Sequence, residues 1–476
     1  IIGVVPVSKK LRIFLAHISP PGKFKLFTPP LGVLYLAAYL REKFSVEIRV
    51  VNQPMEGWSN KQLVEQIVDF GADIAGLGYM TPSAHIAPEI TLALHTASPK
   101  TLILIGGPHV IAMGKYALAE TSADIAVAGE GELAFESVLQ AHIEGGMDFS
   151  GIPGLIYRNK KNEIITNPGT LPVIKDLDNL PLPAYDLIDI QKYWGNPSLT
   201  LIPNRKYAAI SSSRGCPYGC IYCNNIFGKK YRAYSPERVV EEIKYYKQQY
   251  GITDIDYVDD CFNLDGNRVI SYAQHLLDEV GPINTAFSSG VRADLMSEEI
   301  VVALKESGMH YVVLPLESAS ERVQKVINKR LDIEKFSQAV ETCVRHRIFT
   351  SSFTMFGFPD ETEQEMNTTI RLATESPLHT CFFFIVTILP GTPLYRYAME
   401  KSPKKVKSLS YDNIYFEKIS INLSAISDEQ LNKIYTRAPK EFYLKPSRFF
   451  RIIRDYPKPS HIPRKMYDFI IQSLKT

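Results

Sequence analysis

The order in which short β-rich runs and helical patterns follow one another constrains this fold more than any other feature of the sequence. Between residues 11 and 145, the runs LRIFLAH, VEIRVVN, DIAGLGY, TLILIGG and DIAVAGE alternate with helical segments such as Leu31 to Lys43 and Ser59 to Phe70. This repetition predicts a doubly wound sheet of parallel strands. Such sheets bind ligands beyond the carboxyl ends of their strands. The glycines found there are Gly76, Gly78, Gly106, Gly107, Gly129 and Gly131.

A second alternation begins at Lys206 and ends near Ser402. Its candidate strands are KYAAISSS, ITDIDYVDD, NTAFSSG, HYVVLPLES, FTSSFTMFG and FFFIVTIL. The first helix is expected over Pro236 to Tyr250, because Ser235 is a good N-cap and proline suits the first helical turn. Six β/α units predict a TIM-like barrel or partial barrel, with the chemistry on the loops that follow the strands.

The length of 476 residues predicts more than one domain, since single cores stop growing near about 250 to 300 residues. We expect an α/β protein that begins with a Rossmann-like domain over residues 1–150. A proline-punctuated linker with room for a small hairpin follows over 151–204. The (β/α)6 partial barrel is expected over 205–402, and a small, mostly helical region over 403–476.

The composition is that of a globular enzyme, with 45% hydrophobic and 22% charged residues. The 53 basic and 51 acidic side chains give a net charge of +2, so no nucleic-acid partner is expected. No apolar run reaches the roughly 18 residues that cross a bilayer, and the first residues lack a signal-peptide pattern. We therefore expect a cytoplasmic protein, in which six unevenly spread cysteines do not form a disulfide framework.

The carboxyl-terminal end departs from this balance. From Lys440 to Thr476, nine Lys or Arg stand against three Asp or Glu, interleaved with apolar residues such as Phe449 and Phe450. The pattern predicts either peripheral contact with anionic lipid or a solvated basic face over a packed apolar one.

Half of the cysteines lie within eight residues, as Cys216, Cys220 and Cys223 in SRGCPYGCIYCNN. They follow the first strand of the second alternation, on the rim where an active-site loop is expected. A structural zinc site usually takes four protein ligands, and here the next cysteine is Cys261, with no histidine between residues 201 and 274. Thiolates also bind iron–sulfur clusters, and three of them leave one iron of a cubane open. We favour the cluster and keep zinc as the alternative.

The spacing Cys-x-x-x-Cys-x-x-Cys, with Tyr222 directly before the third cysteine, resembles the signature of the radical S-adenosylmethionine (SAM) superfamily. The resemblance implies that Cys216, Cys220 and Cys223 bind three irons of a [4Fe-4S] cluster, while SAM chelates the fourth near Tyr222. It also implies that one-electron reduction, by a donor such as flavodoxin or ferredoxin, breaks a carbon–sulfur bond of SAM. The resulting 5'-deoxyadenosyl radical abstracts hydrogen from unactivated carbon.

Further segments match this superfamily in order and place. YVDDCFNLD makes Asp259 and Asp260 candidates for the ammonium group of SAM, although the usual Gly-Gly-Glu is absent. Arg292 follows the third strand, where a guanidinium would pair with the SAM carboxylate. Glu317 and Ser318 in LPLESAS match a fourth-strand pattern, with Pro315 and Leu316 in place of the usual glycine two residues before the pair.

The first domain resembles the subgroup that carries an amino-terminal cobalamin (B12)-binding domain. The segments with this resemblance are TPPLGVLYLAAYLRE, LILIGGPHV, DIAVAGEGE and DLDNLPLPAYD. It implies that Gly106 and Gly107 lie near the nucleotide tail of cobalamin, Tyr79 and Thr81 near its lower face, and Gly129 and Glu130 at the same sheet edge. The Asp-x-His-x-x-Gly motif of other cobalamin carriers is missing, and His17 in LAHISP lacks the aspartate that would orient it. An ordinary strand-end histidine is the favoured interpretation.

The resemblance therefore implies a cobalamin-dependent radical SAM enzyme. Our first hypothesis is a methyltransferase that uses methylcobalamin and the 5'-deoxyadenosyl radical to methylate an unactivated carbon, or phosphorus, of a small or lipid-like substrate. The second is a radical SAM cyclase, or a ring-rearranging or oxidising enzyme, without methyl transfer. The third is a non-catalytic module that binds corrinoid or passes electrons, against which the six β/α units argue.

Overall fold

The computed structural model describes residues 10–22, 28–145, 148–196, 198–203, 205–412, 418–458 and 460. The chain divides into two compact units, Ile1–Tyr193 and Trp194–Thr476. No helix among the described residues is long and apolar enough to span a membrane.

The first unit is built on a seven-stranded sheet with the spatial order β2-β1-β3-β4-β5-β6-β7. Its strands are β1 (Leu11–His17), β2 (Val46–Asn52), β3 (Ile74–Gly78), β4 (Leu102–Gly106), β5 (Ile125–Ala126), β6 (Ile156–Arg158) and β7 (Ile164–Thr166). β1 to β5 pair in parallel, as predicted. β6 and β7 form an antiparallel hairpin that extends the β5 edge, so the complete sheet is mixed.

Helices pack on the first sheet, and the third of them has capping residues at both ends. They are α1 (Leu31–Lys43), α2 (Gln53–Glu56), α3 (Asn60–Phe70), α4 (Ala87–Ala97), α5 (Pro108–Met113), α6 (Lys115–Ala119) and α7 (Gly131–Ile143), and α8 (Gln191–Trp194) follows them. Ser59 and Gln62 form a capping box at the start of α3, and Gly71 ends this helix in the left-handed conformation. The central strand β4 is buried at Leu102, Ile103, Leu104 and Ile105, which explains its continuous apolar run.

Much of the predicted linker 151–204 belongs to the first unit. The small hairpin expected there is β6–β7, and its Arg158 donates side-chain hydrogen bonds to the carbonyl oxygens of Leu118, Thr121 and Ala123. These bonds join the hairpin to the sheet edge. The first unit consequently extends to Tyr193, beyond the boundary at residue 150 that the sequence indicated.

The second unit is an open barrel whose six main strands are all parallel, with the order β15-β14-β13-β12-β11-β8. These strands are β8 (Tyr207–Ile210), β11 (Asp254–Tyr257), β12 (Asn284–Phe287), β13 (Met309–Val313), β14 (Phe349–Phe356) and β15 (Thr380–Ile385). A short antiparallel pair, β9 (Ser213–Arg214) and β10 (Arg232–Ala233), follows β8. The order of strands in space equals their order in the chain, which confirms the predicted partial barrel.

Helices follow the barrel strands. They are α9 (Pro236–Tyr250), α10 (Gly266–Glu279), α11 (Glu298–Glu306), α12 (Glu321–Val326), α13 (Ile333–Arg345), α14 (Glu363–Glu375), α15 (Pro393–Lys401) and α16 (Pro403–Lys407). The predicted start of α9 is confirmed, since the Ser235 side chain accepts a hydrogen bond from the Arg238 N–H at 3.2 Å.

The carboxyl-terminal region contributes α17 (Asp428–Tyr443) and α18 (Pro446–Asp455). The buried Arg448 stacks on Phe442 and donates to the carbonyl oxygens of Ala373, Thr374 and Ser376, which close the end of α14. Asp455 lies 3.0 Å from Nε2 of the buried His379, just before β15. These polar contacts hold both helices against the barrel. The remainder of the predicted region, residues 413–417, 459 and 461–476, lies outside the described residues.

Candidate active site

The cysteine loop lies between β9 and β10, whose antiparallel pairing brings its two ends together. Within the loop, the Cys216 N–H donates to Gly228 O at 3.1 Å, and the Asn225 side chain donates to Cys216 O at 2.9 Å. Gly215 has φ +86°, and a Cβ atom there would lie only 2.4 Å from Lys230 O. Only glycine satisfies both conditions, so the entry to the loop depends on it.

The three thiols of the loop suit a cluster better than a single ion. Cys216 and Cys220 are half-buried and Cys223 is exposed, and all three are free of disulfides. Among the described residues, no group of three His, Cys, Asp or Glu side chains converges tightly enough to hold one metal ion. A structural zinc ion needs such convergence. In a [4Fe-4S] cluster each thiolate binds a different iron, so the three thiols need not converge on one ion.

The structure brings Tyr222 and Glu317 together. The Tyr222 hydroxyl donates to Glu317 Oε1 at 3.2 Å, and burial, followed by the charge of Glu317, holds the pKa of Tyr222 well above its usual value. Glu317 is buried and has φ +64°, a conformation that is costly for a residue with a side chain. Such strain at the carboxyl end of a barrel strand is typical of functional positions.

Lys329 contacts the same carboxylate and was not predicted from the sequence. Its Nζ lies 3.1 Å from Glu317 Oε1 and donates to Pro315 O at 2.7 Å. It follows α12 in a loop where Asn328 and Arg330 both have positive φ. No spacing in INKRLD indicates this contact, because it depends on how the loop folds back over the strand end.

Asp259 and Asp260 both anchor backbone around the cysteine loop. The buried Asp259 accepts hydrogen bonds from the Ser212 N–H at 3.1 Å and from the hydroxyls of Ser212 and Ser213 at 2.8 and 2.5 Å. Asp260 is half-buried and accepts from the Gly215 N–H at 3.2 Å. Burial raises the pKa of both carboxyl groups. Asp260, which has a single bond here, is therefore better placed than Asp259 to take a further cationic ligand.

Arg292 is already paired within the protein. Its guanidinium makes two bonds to Asp294, at 2.9 and 2.6 Å, and lies 3.7 Å from the centre of the Tyr218 ring in the cysteine loop. Its Nη1 also donates to Lys329 O at 3.1 Å. These contacts link the end of β12 and the loop after α12 to the cysteine loop. They occupy donor groups of the guanidinium that was expected to bind the SAM carboxylate.

Ser318 is fully buried beside α14. Its hydroxyl lies 3.4 Å from that of Thr369 and accepts from the Ser320 N–H at 3.2 Å. These contacts give Ser318 a packing role at the base of Glu317, and its contact with SAM stays a prediction.

In the first unit, Tyr79, Thr81 and Gly107 meet at the ends of β3 and β4. Gly107 has φ +93°, and a Cβ atom there would lie 2.9 Å from both N and O of Tyr79. His109, which was not singled out from LILIGGPHV, stacks on Tyr79 and lies 3.3 Å from Thr81 Oγ1 through Nδ1. Burial lowers the pKa of His109 to about 4, so its ring is neutral at pH 7.

This edge has features that fit a large polar cofactor. The buried Nε2 of His109 has no hydrogen-bond partner among the described residues. A Cβ atom built on Gly106 would meet nothing closer than Val127 O at 3.9 Å, which leaves room beside the strand end. An unsatisfied buried nitrogen and open space next to glycine are what a bound ligand would complete.

Gly129 and Glu130 contact residues of the segment 151–204, which the sequence predicted to be a linker. A Cβ atom on Gly129 would lie 3.1 Å from Leu171 Cδ1, and Glu130 Oε2 accepts a hydrogen bond from the Ile174 N–H at 3.3 Å. The structure therefore gives both residues a role in holding this segment. His17 ends β1, and burial lowers the pKa of its ring to about 4, so it is a neutral strand-end histidine at pH 7.

The two units thus define an α/β protein with a three-cysteine loop at the strand ends of a partial barrel and, in the first unit, a sheet edge where a ligand would fit. This arrangement is typical of a cofactor-dependent enzyme. Family profiles agree: that of the Radical SAM superfamily matches residues 210–373, and that of the B12 binding domain matches residues 22–139.

Curated relatives extend the match to most of the chain. An uncharacterized methyltransferase of Pyrococcus horikoshii is 30% identical over 90% of this chain and 90% of its own. Cytidylyl-2-hydroxyethylphosphonate methyltransferase of Streptomyces wedmorensis is 24% identical over 89% and 88%, and anaerobic magnesium-protoporphyrin IX monomethyl ester cyclase of Rubrivivax gelatinosus is 25% identical over 72% and 62%. The chain belongs to the radical SAM superfamily, in the group with an amino-terminal B12-binding domain.

Solved structures share the fold. The cobalamin-dependent SAM radical enzyme OxsB aligns with a TM-score of 0.66 and 17% identity over 91% of this chain and 61% of its own. The radical SAM methyltransferase TsrM of Kitasatospora setae aligns with a TM-score of 0.69 and 18% identity over 82% and 76%. These alignments show that the chain has the Rossmann-like and partial-barrel folds of this group. The family profiles and the relative in Pyrococcus horikoshii place it in the group, so it is an enzyme whose cofactors are a [4Fe-4S] cluster, SAM and cobalamin.

Proposed function

We propose that this enzyme transfers a methyl group to an unactivated carbon, or to phosphorus, of a small molecule. One observation carries the proposal: a single chain presents both a cluster-binding cysteine loop and a B12-binding fold. Two methyltransferases that are similar over nearly the whole chain support it. When bound, the cluster, SAM and cobalamin together supply a methyl group and the one-electron chemistry that activates an unreactive carbon.

The residues of the barrel hold and orient the reacting groups in this proposal. Cys216, Cys220 and Cys223 bind the cluster. Asp260 and the Tyr222–Glu317 pair provide polar contacts for SAM beside it. Asp260 and Glu317 follow barrel strands, and the β9–β10 pair closes the cysteine loop that carries Tyr222. These attachments would limit movement of the bound cofactor and hold it in a reactive orientation.

In the first unit, the backbone around Gly106 and Gly107 and the Tyr79–Thr81–His109 group would hold cobalamin. The neutral His109 ring offers Nε2 as a hydrogen-bonding atom that no described residue uses. Gly107 lets the chain pass against Tyr79 without a clash, so this group depends on a residue that has no Cβ atom.

The first experiment is anaerobic reconstitution with iron, sulfide and hydroxocobalamin, followed by gel filtration and metal analysis. Four irons and one cobalt per chain are expected. The loaded enzyme is then incubated with SAM and titanium(III) citrate, and S-adenosylhomocysteine and 5'-deoxyadenosine are quantified. Release of both supports methyl transfer with radical chemistry.

The same assay separates the alternatives. 5'-Deoxyadenosine without S-adenosylhomocysteine would favour a cyclase-like or oxidising enzyme, as the ester cyclase relative suggests. Formation of neither product, from a protein that holds iron and cobalt, would contradict an enzymatic role. Replacing the chemical reductant with flavodoxin or ferredoxin and its reductase tests the proposed class of electron donor.

Peripheral membrane contact, and with it a lipid-like substrate, is a second part of the proposal. The side chain of Leu444, which lies between α17 and α18, is 80% exposed, and that of Phe450 on α18 is 70% exposed. Phe449 and Ile453 are also exposed on α18. Basic residues, among them Arg451 and Arg454, adjoin them. Exposed apolar side chains next to basic ones favour an anionic lipid surface.

Co-sedimentation with vesicles tests this contact. Vesicles that contain phosphatidylglycerol are expected to bind the protein, and vesicles of phosphatidylcholine alone are not. The double variant Leu444→Ser/Phe450→Ser should lose the binding, while Leu92→Ser, which alters an exposed leucine of the first unit, should keep it. Equal sedimentation of all three proteins would contradict the contact.

A further inference from the structure

The loop that follows α12, residues Ile327 to Arg330, contacts three parts of the barrel site at once. We call it the α12 loop. Asn328 and Arg330 both have positive φ, at +53° and +51°, so the loop is held in a conformation that unfolded chains rarely adopt. Its contacts account for that conformation.

The first contact is with the cysteine loop. The Asn328 side chain donates to Gly219 O at 3.0 Å, and Ile327 O accepts from the Ile221 N–H at 3.0 Å. A Cβ atom on Gly219 would lie 2.6 Å from Asn328 Nδ2, so the Asn328 side chain packs directly against the backbone of Gly219. The α12 loop therefore supports the segment that carries Cys220 and Cys223.

The second contact is with Glu317, and it passes through Lys329. The side chains of this ion pair are only 7% and 9% exposed, at a distance of 3.1 Å. The third contact joins Lys329 O to Arg292 Nη1 at 3.1 Å. Lys329 thus links Glu317, which follows β13, to Arg292, which follows β12.

A buried ion pair is weak evidence for stability, because two apolar residues of similar size often serve folding equally well. The position of this pair is informative for another reason. It lies on the carboxyl-end side of the barrel strands, where TIM-like barrels have their active sites. Its carboxylate accepts a hydrogen bond from the hydroxyl of Tyr222 in the cysteine loop. Glu317 has a left-handed backbone with φ +64°, so its conformation departs from that of the preceding strand.

We propose that Lys329 is a positioning residue for SAM: its ammonium group holds the Glu317 carboxylate against Tyr222 beside the cysteine loop. Lys329 acts through Glu317 and does not itself contact the reacting atoms. The inference rests on the proposed radical SAM chemistry and extends it to a residue that the cysteine motif does not include.

The test compares four variants with the wild-type enzyme: Lys329→Met, Glu317→Gln, the double variant that combines them, and Lys325→Met. Lys325 is exposed on α12 and serves as the matched control. Each protein is reconstituted, and three quantities are measured: thermal unfolding of the apoprotein, equilibrium binding of SAM to the cluster-loaded protein, and the change that SAM causes in the electron paramagnetic resonance spectrum of the reduced cluster.

Lys329→Met is expected to lower the melting temperature, because it leaves a buried carboxylate without its cation. The double variant should recover the melting temperature, since its neutral pair buries no lone charge. Its affinity for SAM should nevertheless stay about tenfold or more below that of the wild type, as is common when a supporting partner of a cofactor ligand is removed. The spectral response to SAM should weaken in parallel, and Lys325→Met should match the wild type throughout.

Wild-type affinity for SAM and a wild-type spectrum in the double variant would overturn the inference, because Lys329 would then serve folding alone. If Lys329→Met does not fold, the double variant carries the test. A double variant that also fails to fold would likewise overturn it, since the pair would be required by the fold itself. Failure of the wild-type protein to bind four irons is a different result, which refutes the proposed function as well.

Discussion

The hydroxyl of Tyr222 and the carboxylate of Glu317 meet at 3.2 Å although the two residues lie 95 positions apart in the chain. The Tyr222 ring packs on Phe358 at 5.6 Å between ring centres, so the residue is held at both ends. This pair connects the loop that carries the cysteines to the strand end that was expected to contact SAM.

Replacement of Tyr222 by phenylalanine should separate these two roles. The ring packing is retained and Glu317 keeps Lys329, so a stability loss of only about 1 kcal/mol is expected. SAM should bind more weakly to the reconstituted enzyme, because the carboxylate loses one of the two groups that orient it. Thermal melts and equilibrium binding measure the two effects. Tyr245→Phe, at an exposed tyrosine on α9, is the control; an unchanged SAM affinity in Tyr222→Phe would refute the prediction.

Gly215→Ala should prevent the cysteine loop from closing. The new Cβ would lie 2.4 Å from Lys230 O in a backbone with φ +86°, and the strained conformation alone costs about 1 to 3 kcal/mol. We expect less than half of the wild-type iron content after reconstitution. Gly228→Ala is the matched control, because its φ is +74° but a Cβ atom there meets nothing within 4 Å. Equal iron contents in the two variants would show that the close approach is unimportant.

Gly107→Ala should reduce cobalamin binding and leave the cluster intact. Its Cβ would lie 2.9 Å from N and O of Tyr79, so the Tyr79–Thr81–His109 group must move. Cobalt retained after gel filtration should fall severalfold, while iron content stays at the wild-type value. Gly57→Ala, in the same unit, has a similar positive φ and open space around it. If Gly107→Ala retains as much cobalt as the wild type, cobalamin does not bind at this sheet edge.

Glu361 predicts a specific dependence of stability on pH. One of its oxygens accepts the Gly357 and Phe358 N–H groups, and the buried Oε1 has no hydrogen-bond partner among the described residues. Burial raises the pKa of Glu361 to about 8 from its usual 4.5. Between these values the folded state binds a proton that the unfolded chain releases, so the contribution of this group to stability is present at low pH and is lost as pH rises toward 8.

The Glu361→Gln variant should remove this dependence, because the amide is neutral at every pH. Its melting temperature should exceed that of the wild type by more at pH 8.5 than at pH 6, as measured by thermal melts across that range. Glu363→Gln, at an exposed position two residues later, should leave the dependence unchanged. Parallel melting profiles for the wild type and Glu361→Gln would indicate that Glu361 is ionised throughout.

Local patterns predicted much of this molecule. The strands of both sheets lie where the β-rich runs stand, and Ser235 caps its helix as expected, because a cap depends on atoms within three residues. Within the predicted linker 151–204, the sequence indicated a small hairpin but not that it would extend the first sheet. Its attachment to the first sheet depends on Arg158 reaching carbonyl groups about 35 to 40 residues earlier, which no local pattern encodes.

In the candidate site, too, some features were predicted from the sequence and others were visible only in the structure. Cys216, Cys220 and Cys223 were evident from their spacing, since cluster ligands lie on one short loop. Arg292 was placed correctly after its strand, but its pairing with Asp294 and its stacking on Tyr218 were visible only in three dimensions. His109 lay within a quoted motif, and its contact with Thr81 requires two neighbouring strands to align their ends.

The sequence by itself therefore determined the order of elements, the two alternations of strands and helices and the loop that carries three cysteines, because each depends on residues that are close in the chain. Tertiary structure decided which polar groups face one another at the strand ends. The contact of Lys329 with Glu317 is the clearest case: it exists because a loop with left-handed residues folds back over the segment that follows β13, where the attraction between the two charges offsets the cost of burying them.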